Sequence, residues 1–248
     1  MKNYKLVLGY DGTDFRGWQR QPDGPRQLGC RTVQGVLEDA VLRITGKKVA
    51  VHGAGRTDAG VHALGQAASF RGAFKLSDDV LLRALNAVLP EDVRVFSLHE
   101  APPGFHARKS ARSKLYRYRL ATAAQPNPLD RRYVLHWPYP LRTGRMREAA
   151  RLFVRTADFT AFSSNRDRSP VRTVTRSELR RSGDELVYTI ESAGFLRYMV
   201  RTIVGTLLDV GRGRLAPAQV EDLFRMGDRG LAGPTAAAKG LTLVRVDY

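Results

Sequence analysis

The chain has 248 residues and a mass of 27.6 kDa, room for one large domain or two smaller ones. Lys and Arg number 41 against 24 Asp and Glu, a net charge of +17, and 33 of the 41 cations are Arg. That balance asks for a polyanionic partner. No run approaches the roughly eighteen apolar residues of a helical membrane span, the N-terminus enters a strand-like segment without an apolar leader core, and Cys30 stands alone. A helical membrane span, a disulfide framework and a cysteine-based metal site within one chain are therefore excluded, and the expectation is a cytoplasmic protein.

In chain order, Leu6 to Tyr10 reads as a strand ending at the turn signal Asp11-Gly12-Thr13. Thr32 is placed to cap a helix whose apolar residues Val33, Val36, Leu37, Ala40, Val41 and Ile44 form one stripe, ending near Gly46. Val49 to His52 reads as a short strand. A second helix opens at Ser77, with Asp78 and Asp79 where the macrodipole favours anions, and closes before Pro90. Strands at 67–70 and 93–98 bracket it. The second half repeats the grammar: a strand at 114–121, a helix at about 145–156, strands near 171–179 and 185–192, a long helix from about Phe195 to Val210, a helix opening at Pro217 and a closing strand at 241–246. Several connections have hairpin length. The expected class is α+β, as two similar subdomains, 1–105 and 106–248, with antiparallel or mixed sheets, helices on one face and a cleft between them.

The charge is unevenly spread: residues 1–104 carry +3, residues 105–183 carry +14, and residues 184–248 carry 0. The basic third is Arg interleaved with Tyr, Phe, Leu and Val, so it belongs to folded segments and can offer bidentate contacts to phosphate. A solvated basic surface is the alternative. A membrane-surface role is disfavoured, because no helix sets a cationic face against an aromatic and aliphatic one.

The densest local signal is G-A-G-R-T-D-A-G-V-H-A, from Gly53 to Ala63. A dinucleotide-binding reading fails at Asp58, where a third Gly is needed. A Walker-type phosphate loop fails at Val61-His62, which stand in place of Lys-Ser/Thr. What remains is a tight loop presenting Arg56 and Asp58 together. Taken alone, an Asp in such a loop is most often a turn-former bonded to its own backbone. His52 and His62 lack the spacing and third ligand of a metal site, and no metal is expected.

This loop, with Y-D-G-T-D-F-R-G-W-Q-R-Q from Tyr10, R-T-V-Q-G from Arg31, F-H-A-R at Phe105, Y-R-Y at Tyr116, D-F-T-A-F at Asp158 and G-F-L-R-Y-M-V-R from Gly194, resembles the tRNA pseudouridine synthases that act on the anticodon arm. The likeness spans the chain. Pro22 to Cys30 departs from it, being longer than the pattern suggests. The resemblance implies the pseudouridine synthase fold and isomerisation of uridine to pseudouridine at tRNA positions 38, 39 and 40, with base flipping, no cofactor and a homodimer. It implies Asp58 as the catalytic carboxylate, Tyr116 as the tyrosine stacking on the substrate base, and Arg56 and Arg201 as substrate-binding cations. An ionised carboxylate can attack an electron-poor carbon or take a proton without metal or redox help. In a poorly hydrated site it needs a nearby cation, for which Arg201 is the candidate. Trp18 reads as packing. The competing readings are an RNA-binding protein without catalysis and a nucleic-acid hydrolase. The second is weakened because Asp58 has no acidic neighbour in sequence closer than Asp39 or Asp78.

Overall fold

The computed structural model describes residues 1–20, 31–165 and 169–248; the Pro22 to Cys30 stretch lies outside them. Contacts divide the chain into Met1–Arg112 with Leu243–Tyr248, and Ser113–Thr242. The sequence pattern had suggested a break at 105/106.

In the first unit the elements are β1 (Lys2–Tyr10), α1 (Val33–Thr45), β2 (His52–Gly53), β3 (His62–Gly72), α2 (Asp78–Val88) and β4 (Val93–Ala101). β1 is central, antiparallel to β3 on one side (Leu6 opposite Ala68) and to β4 on the other (Leu6 opposite Leu98). The two residues of β2 pair with Ser69 and Ala68 of β3. Tyr4, Leu6 and Leu8 alternate along β1 and are buried, as a sheet with one covered face requires. α1 buries Val33, Leu37 and Val41, and α2 buries Leu81 and Leu85 while packing along β4.

Both helix starts obey the sequence signals. The Gly35 N–H donates to Thr32 Oγ1 at 3.2 Å, and Gly46 ends α1 in the left-handed region. Ser77 is the N-cap of α2, followed by the two aspartates.

The second unit contains β5 (Ser113–Ala121), β6 (Leu135–His136), α3 (Thr143–Arg151), β7 (Thr156–Asp158), β8 (Val171–Ser182), β9 (Glu185–Ser192), α4 (Met199–Gly211) and α5 (Gln219–Met226). β9 lies between β5 and β8, antiparallel to both, with Tyr188 opposite Tyr118 and Leu179. β7 continues beyond β8, and β6 adds to β5 in parallel. The fold is thus α+β with mostly antiparallel, mixed pairing, as the alternation of elements suggested. α4 is buried nearly all round, through residues such as Met199, Ile203, Val204 and Leu207, the pattern of a helix inside a core. Phe153, Phe159, Phe162 and Phe224 pack around one another at centroid distances of 5.1 to 5.9 Å.

Several boundaries differ from the sequence reading: β2 holds only His52 and Gly53 of the strand expected at 49–52, β1 and β3 are longer than expected, and two helix ends have a visible cause. α4 starts at Met199 and not Phe195, because Tyr198 sits at φ +62°, a left-handed conformation that no helix interior accepts. α3 ends at Arg151, where tight turns carry Phe153 into the aromatic cluster.

β10 (Leu241–Asp247) passes from one unit to the other. In the first unit it lies next to β3, the Arg112 N–H donates to the Asp247 carbonyl, and the Tyr248 hydroxyl donates to the Ala107 carbonyl.

Candidate active site

Arg56 and Asp58 lie in the first unit, on the turn between β2 and β3. The loop is fixed through its backbone. Trp18 N–H donates to the Thr57 carbonyl at 3.0 Å, Gly60 N–H to Phe15 at 3.3 Å, and Val61 N–H to the Asp58 carbonyl at 3.1 Å. Thr57 is buried, and its hydroxyl bonds the Tyr10 hydroxyl at 2.8 Å. Gln66 Nε2 donates to the Gly55 carbonyl at 2.9 Å and reaches Tyr10 Oη at 3.4 Å. On the far side, Gly12 N–H donates to His62 Nδ1 at 3.0 Å. His62 Nδ1 also lies 3.1 Å from Asp11 Oδ1, so the ring ties the loop to the segment that leaves β1.

Two glycines make this contact possible. A Cβ on Gly12 would stand 2.0 Å from the Val61 carbonyl oxygen, and one on Gly17, at φ +85°, would stand 2.6 Å from that of Thr57. Both are closer than any side chain tolerates. Behind them Tyr10, Phe15 and Trp18 pack ring against ring, each at most 5 % exposed. Trp18 is packing, as its setting in the sequence suggested. Burial pushes the Tyr10 phenol up to about 12, against the lowering effect of its Thr57 and Gln66 partners, so it stays neutral at ordinary pH. The outcome is a half-buried Asp58 on a backbone held from both flanks, with Arg56 exposed beside it.

Tyr116 and Arg201 belong to the second unit. Tyr116 is on β5, 7 % exposed, and meets Phe195 edge-on at 5.2 Å. Tyr118, two residues along the same strand face, is fully buried and donates its hydroxyl to the Ala237 carbonyl at 2.7 Å. Arg201 lies in the first turn of α4. Its Nε donates to the Ala236 carbonyl at 2.7 Å, its own carbonyl accepts from Ala236 N–H at 3.1 Å, and its guanidinium lies 5.0 Å from the Tyr198 ring centre. Arg197 reaches the same ring at 5.0 Å. The segment Gly194–Arg201 therefore links the two residues within this unit: Phe195 meets Tyr116, and Tyr198 carries Arg201.

Sequence reasoning missed Phe195 and Tyr198 as supports. Tyr198 could be found only from its left-handed backbone, which a tyrosine does not signal. Among the described residues no group of three His, Cys, Asp or Glu side chains is placed to hold a metal, and no helix is long and apolar enough to cross a membrane.

A half-buried carboxylate on a rigid glycine-rich loop, in an α+β chain with a large cationic excess, fits nucleophilic or acid–base chemistry on an anionic polymer. Comparison with known proteins narrows the class. The family described as tRNA pseudouridine synthase matches residues 7–108 and 149–248, and the chain belongs to that family of isomerases. Within it, the chain is 46 % identical over 247 residues to the tRNA pseudouridine synthase A of Geobacillus kaustophilus (strain HTA426), covering 98 % of this chain and 93 % of that one. It is 43 % identical over 253 residues to that of Solibacter usitatus (strain Ellin6076), and 39 % identical over 260 residues to that of Thermodesulfovibrio yellowstonii. Both of these matches cover 100 % of each chain.

Proposed function

We propose that the chain converts uridine to pseudouridine at positions 38, 39 and 40 of the tRNA anticodon stem-loop, with Asp58 as the reacting carboxylate. The bond from N1 to C1′ breaks, the uracil turns, C5 bonds to C1′, and the C5 proton is released as N1 gains one. No electron is exchanged with a cofactor. An isomerase of this kind must keep the detached base and exclude water, whereas a glycoside hydrolase would need a second carboxyl group to activate water. What supports the reading is the clamp on Asp58: the peptide on either side of it is hydrogen-bonded, so the residue's backbone is held in one position from which the short side chain projects.

The other roles follow the family resemblance. Tyr116 stacks on the target uracil, Arg201 supplies positive charge, and Arg56 fills the space left by the flipped nucleotide or grips its phosphate. The enzyme works in the cytoplasm as a homodimer.

The test is release of tritium from tRNA labelled at uracil C5, without added metal. Wild type releases it, and Asp58→Asn lowers the rate by about a thousandfold while tRNA affinity holds. Retained activity in the variant overturns the role of Asp58. Tight tRNA binding without release by the wild type marks an RNA-binding protein instead.

A further inference from the structure

Outside the residues assigned above, the second unit carries a built recess. Trp137 N–H donates to the Ala121 carbonyl at 2.8 Å, which fixes the chain as it leaves β6. Pro138 and Pro140 then stiffen the backbone on both sides of Tyr139. Arg142 N–H donates to the Gly211 carbonyl at 2.8 Å, tying this stretch to the end of α4. Between them opens a cavity of about 410 Å³ lined by Trp137, Tyr139, Pro140 and Arg212, within the usual range for small-ligand sites of about 300–1,000 Å³.

Its chemistry is that of a base-stacking site. Trp137 and Tyr139 meet edge to face at 5.7 Å, and Tyr139 is 66 % exposed, so a broad aromatic face is open to solvent. The Arg212 guanidinium lies 5.4 Å from the Trp137 ring centre, and its approach to Asp209, 3.8 Å, is too long for a hydrogen bond. Its planar fork thus lies against the ring; the Asp209 carboxylate offsets part of its charge without taking a hydrogen bond, which leaves donors for a phosphate. Arg142, exposed and with its guanidinium beside Gly213, adds positive charge next to Arg212, while Arg214 approaches Asp209 at 3.9 Å. Rings and arginines also serve protein–protein contacts; the net charge of +17 and the polyanionic substrate class favour single-stranded RNA, whose bases stack on exposed rings among arginines.

We infer that Trp137, Tyr139, Pro140 and Arg212 form an accessory RNA-binding site that takes one unpaired tRNA nucleobase and its phosphate. The inference rests on tRNA being the substrate. Arg212 follows the end of α4 and Arg201 lies near its start, so helical rise separates their backbones by roughly 16 Å. The nucleotide held here is a different one from the target uridine, and the site acts on grip rather than on chemistry.

The experiment compares full-length wild type, Tyr139→Ala, Tyr139→Phe and Arg212→Ala for tRNA affinity, for kcat and KM, and for sedimentation. Loss of the Tyr139 ring weakens tRNA binding and raises KM about tenfold with kcat little changed. Tyr139→Phe, which keeps the ring, restores affinity. Arg212→Ala lowers the slope of log affinity against log salt by about one. Wild-type affinity in Tyr139→Ala overturns the inference, as does a changed oligomeric state with tRNA affinity intact, which would assign the face to a protein copy. Those outcomes leave the isomerase reading standing if wild type still converts tRNA; a wild type that binds no tRNA removes both.

Discussion

The two units hold their candidate site residues in opposite ways. The first fixes Asp58 by fixing the backbone under it, through Trp18, Phe15, Thr57 and the close approach of Gly12 and Gly17. The second fixes Arg197 and Arg201 by their side chains, laid on the ring of Tyr198. A carboxylate has a short stem, so its position is that of its peptide. An arginine has a long one, and an aromatic face is what removes its freedom.

The largest effect that separates these strategies is expected from Gly17→Ala. Its Cβ meets the Thr57 carbonyl at a backbone angle that disfavours alanine, which costs about 2 kcal/mol. A loop shifted by about 1 Å loses activity on the order of a hundredfold. Thermal unfolding and tritium release should fall together; wild-type activity in a destabilised variant would show that the clamp does not position Asp58.

Tyr10→Phe is the next step down. Removal of the hydroxyl leaves Thr57 without its 2.8 Å partner, at about 1 kcal/mol near neutral pH. Its pH signature gives a second check. The folded Tyr10 pKa lies above the ordinary value of 10, so the folded state holds the proton more tightly; stability is complete below pH 10 and declines as pH rises towards 12. Buried Tyr118 and Tyr188 are raised by the same desolvation and add to that decline. In Tyr10→Phe the alkaline decline becomes smaller but does not vanish, which denaturant titration at pH 8, 10 and 11 measures.

On the other side of the comparison, Tyr198→Gly relieves the left-handed strain, worth about 1 to 2 kcal/mol, and offsets it by lost packing and greater chain entropy. Stability stays within about 1 kcal/mol of wild type while activity drops several-fold, because Arg197 and Arg201 lose their platform. Stability and activity separate here and move together at Gly17. Parallel losses at Tyr198 would erase the distinction.

The smallest effect concerns the arginines of the middle third. Arg119 is bidentate to Glu185 at 2.6 and 2.8 Å, and Arg155 to Glu221 at 2.5 and 2.7 Å. Arg155 holds the Glu221 carboxyl below its ordinary range. These cations already have partners, whereas Arg145 and Arg147 of α3 are exposed. Arg147→Ala should lower the salt slope of tRNA binding by about one, and Arg119→Ala should leave it unchanged.

Those pairs also show where the sequence misleads. The +14 assigned to residues 105–183 overstates what RNA can meet, because Glu185 and Glu221 lie outside that window and fold back onto it. Local signals are legible in the sequence: Thr32 caps α1 through its side chain and Gly46 ends it in the left-handed region, since a cap acts over three or four residues, while Ser77 marks the start of α2 by position, without a side-chain capping bond. The loop at Gly53–Ala63 was visible as a turn, and Asp58 stood out only by resemblance. Its supports were hidden because Tyr10 and Thr57 are 47 residues apart, and Gly12 and His62 are 50. No periodicity encodes such a pairing. The left-handed Tyr198 was hidden for another reason: the apolar run beyond it looks helical from Phe195 onward, and only the backbone angle says otherwise.

β10 has a consequence for synthesis. The strand that lies beside β3 is made only after residues 113–242 have been added, a delay on the order of ten seconds at typical elongation rates. During that interval the unit holding Asp58 has its sheet and aromatic packing but an unpaired length along β3, with Tyr248 not yet on the Ala107 carbonyl. The nascent first unit is therefore a sheet with an open stretch along β3 that must avoid pairing with its neighbours on the polysome, although the contacts that hold the Gly53–Ala63 loop, all within residues 10–66, need no residue of β10.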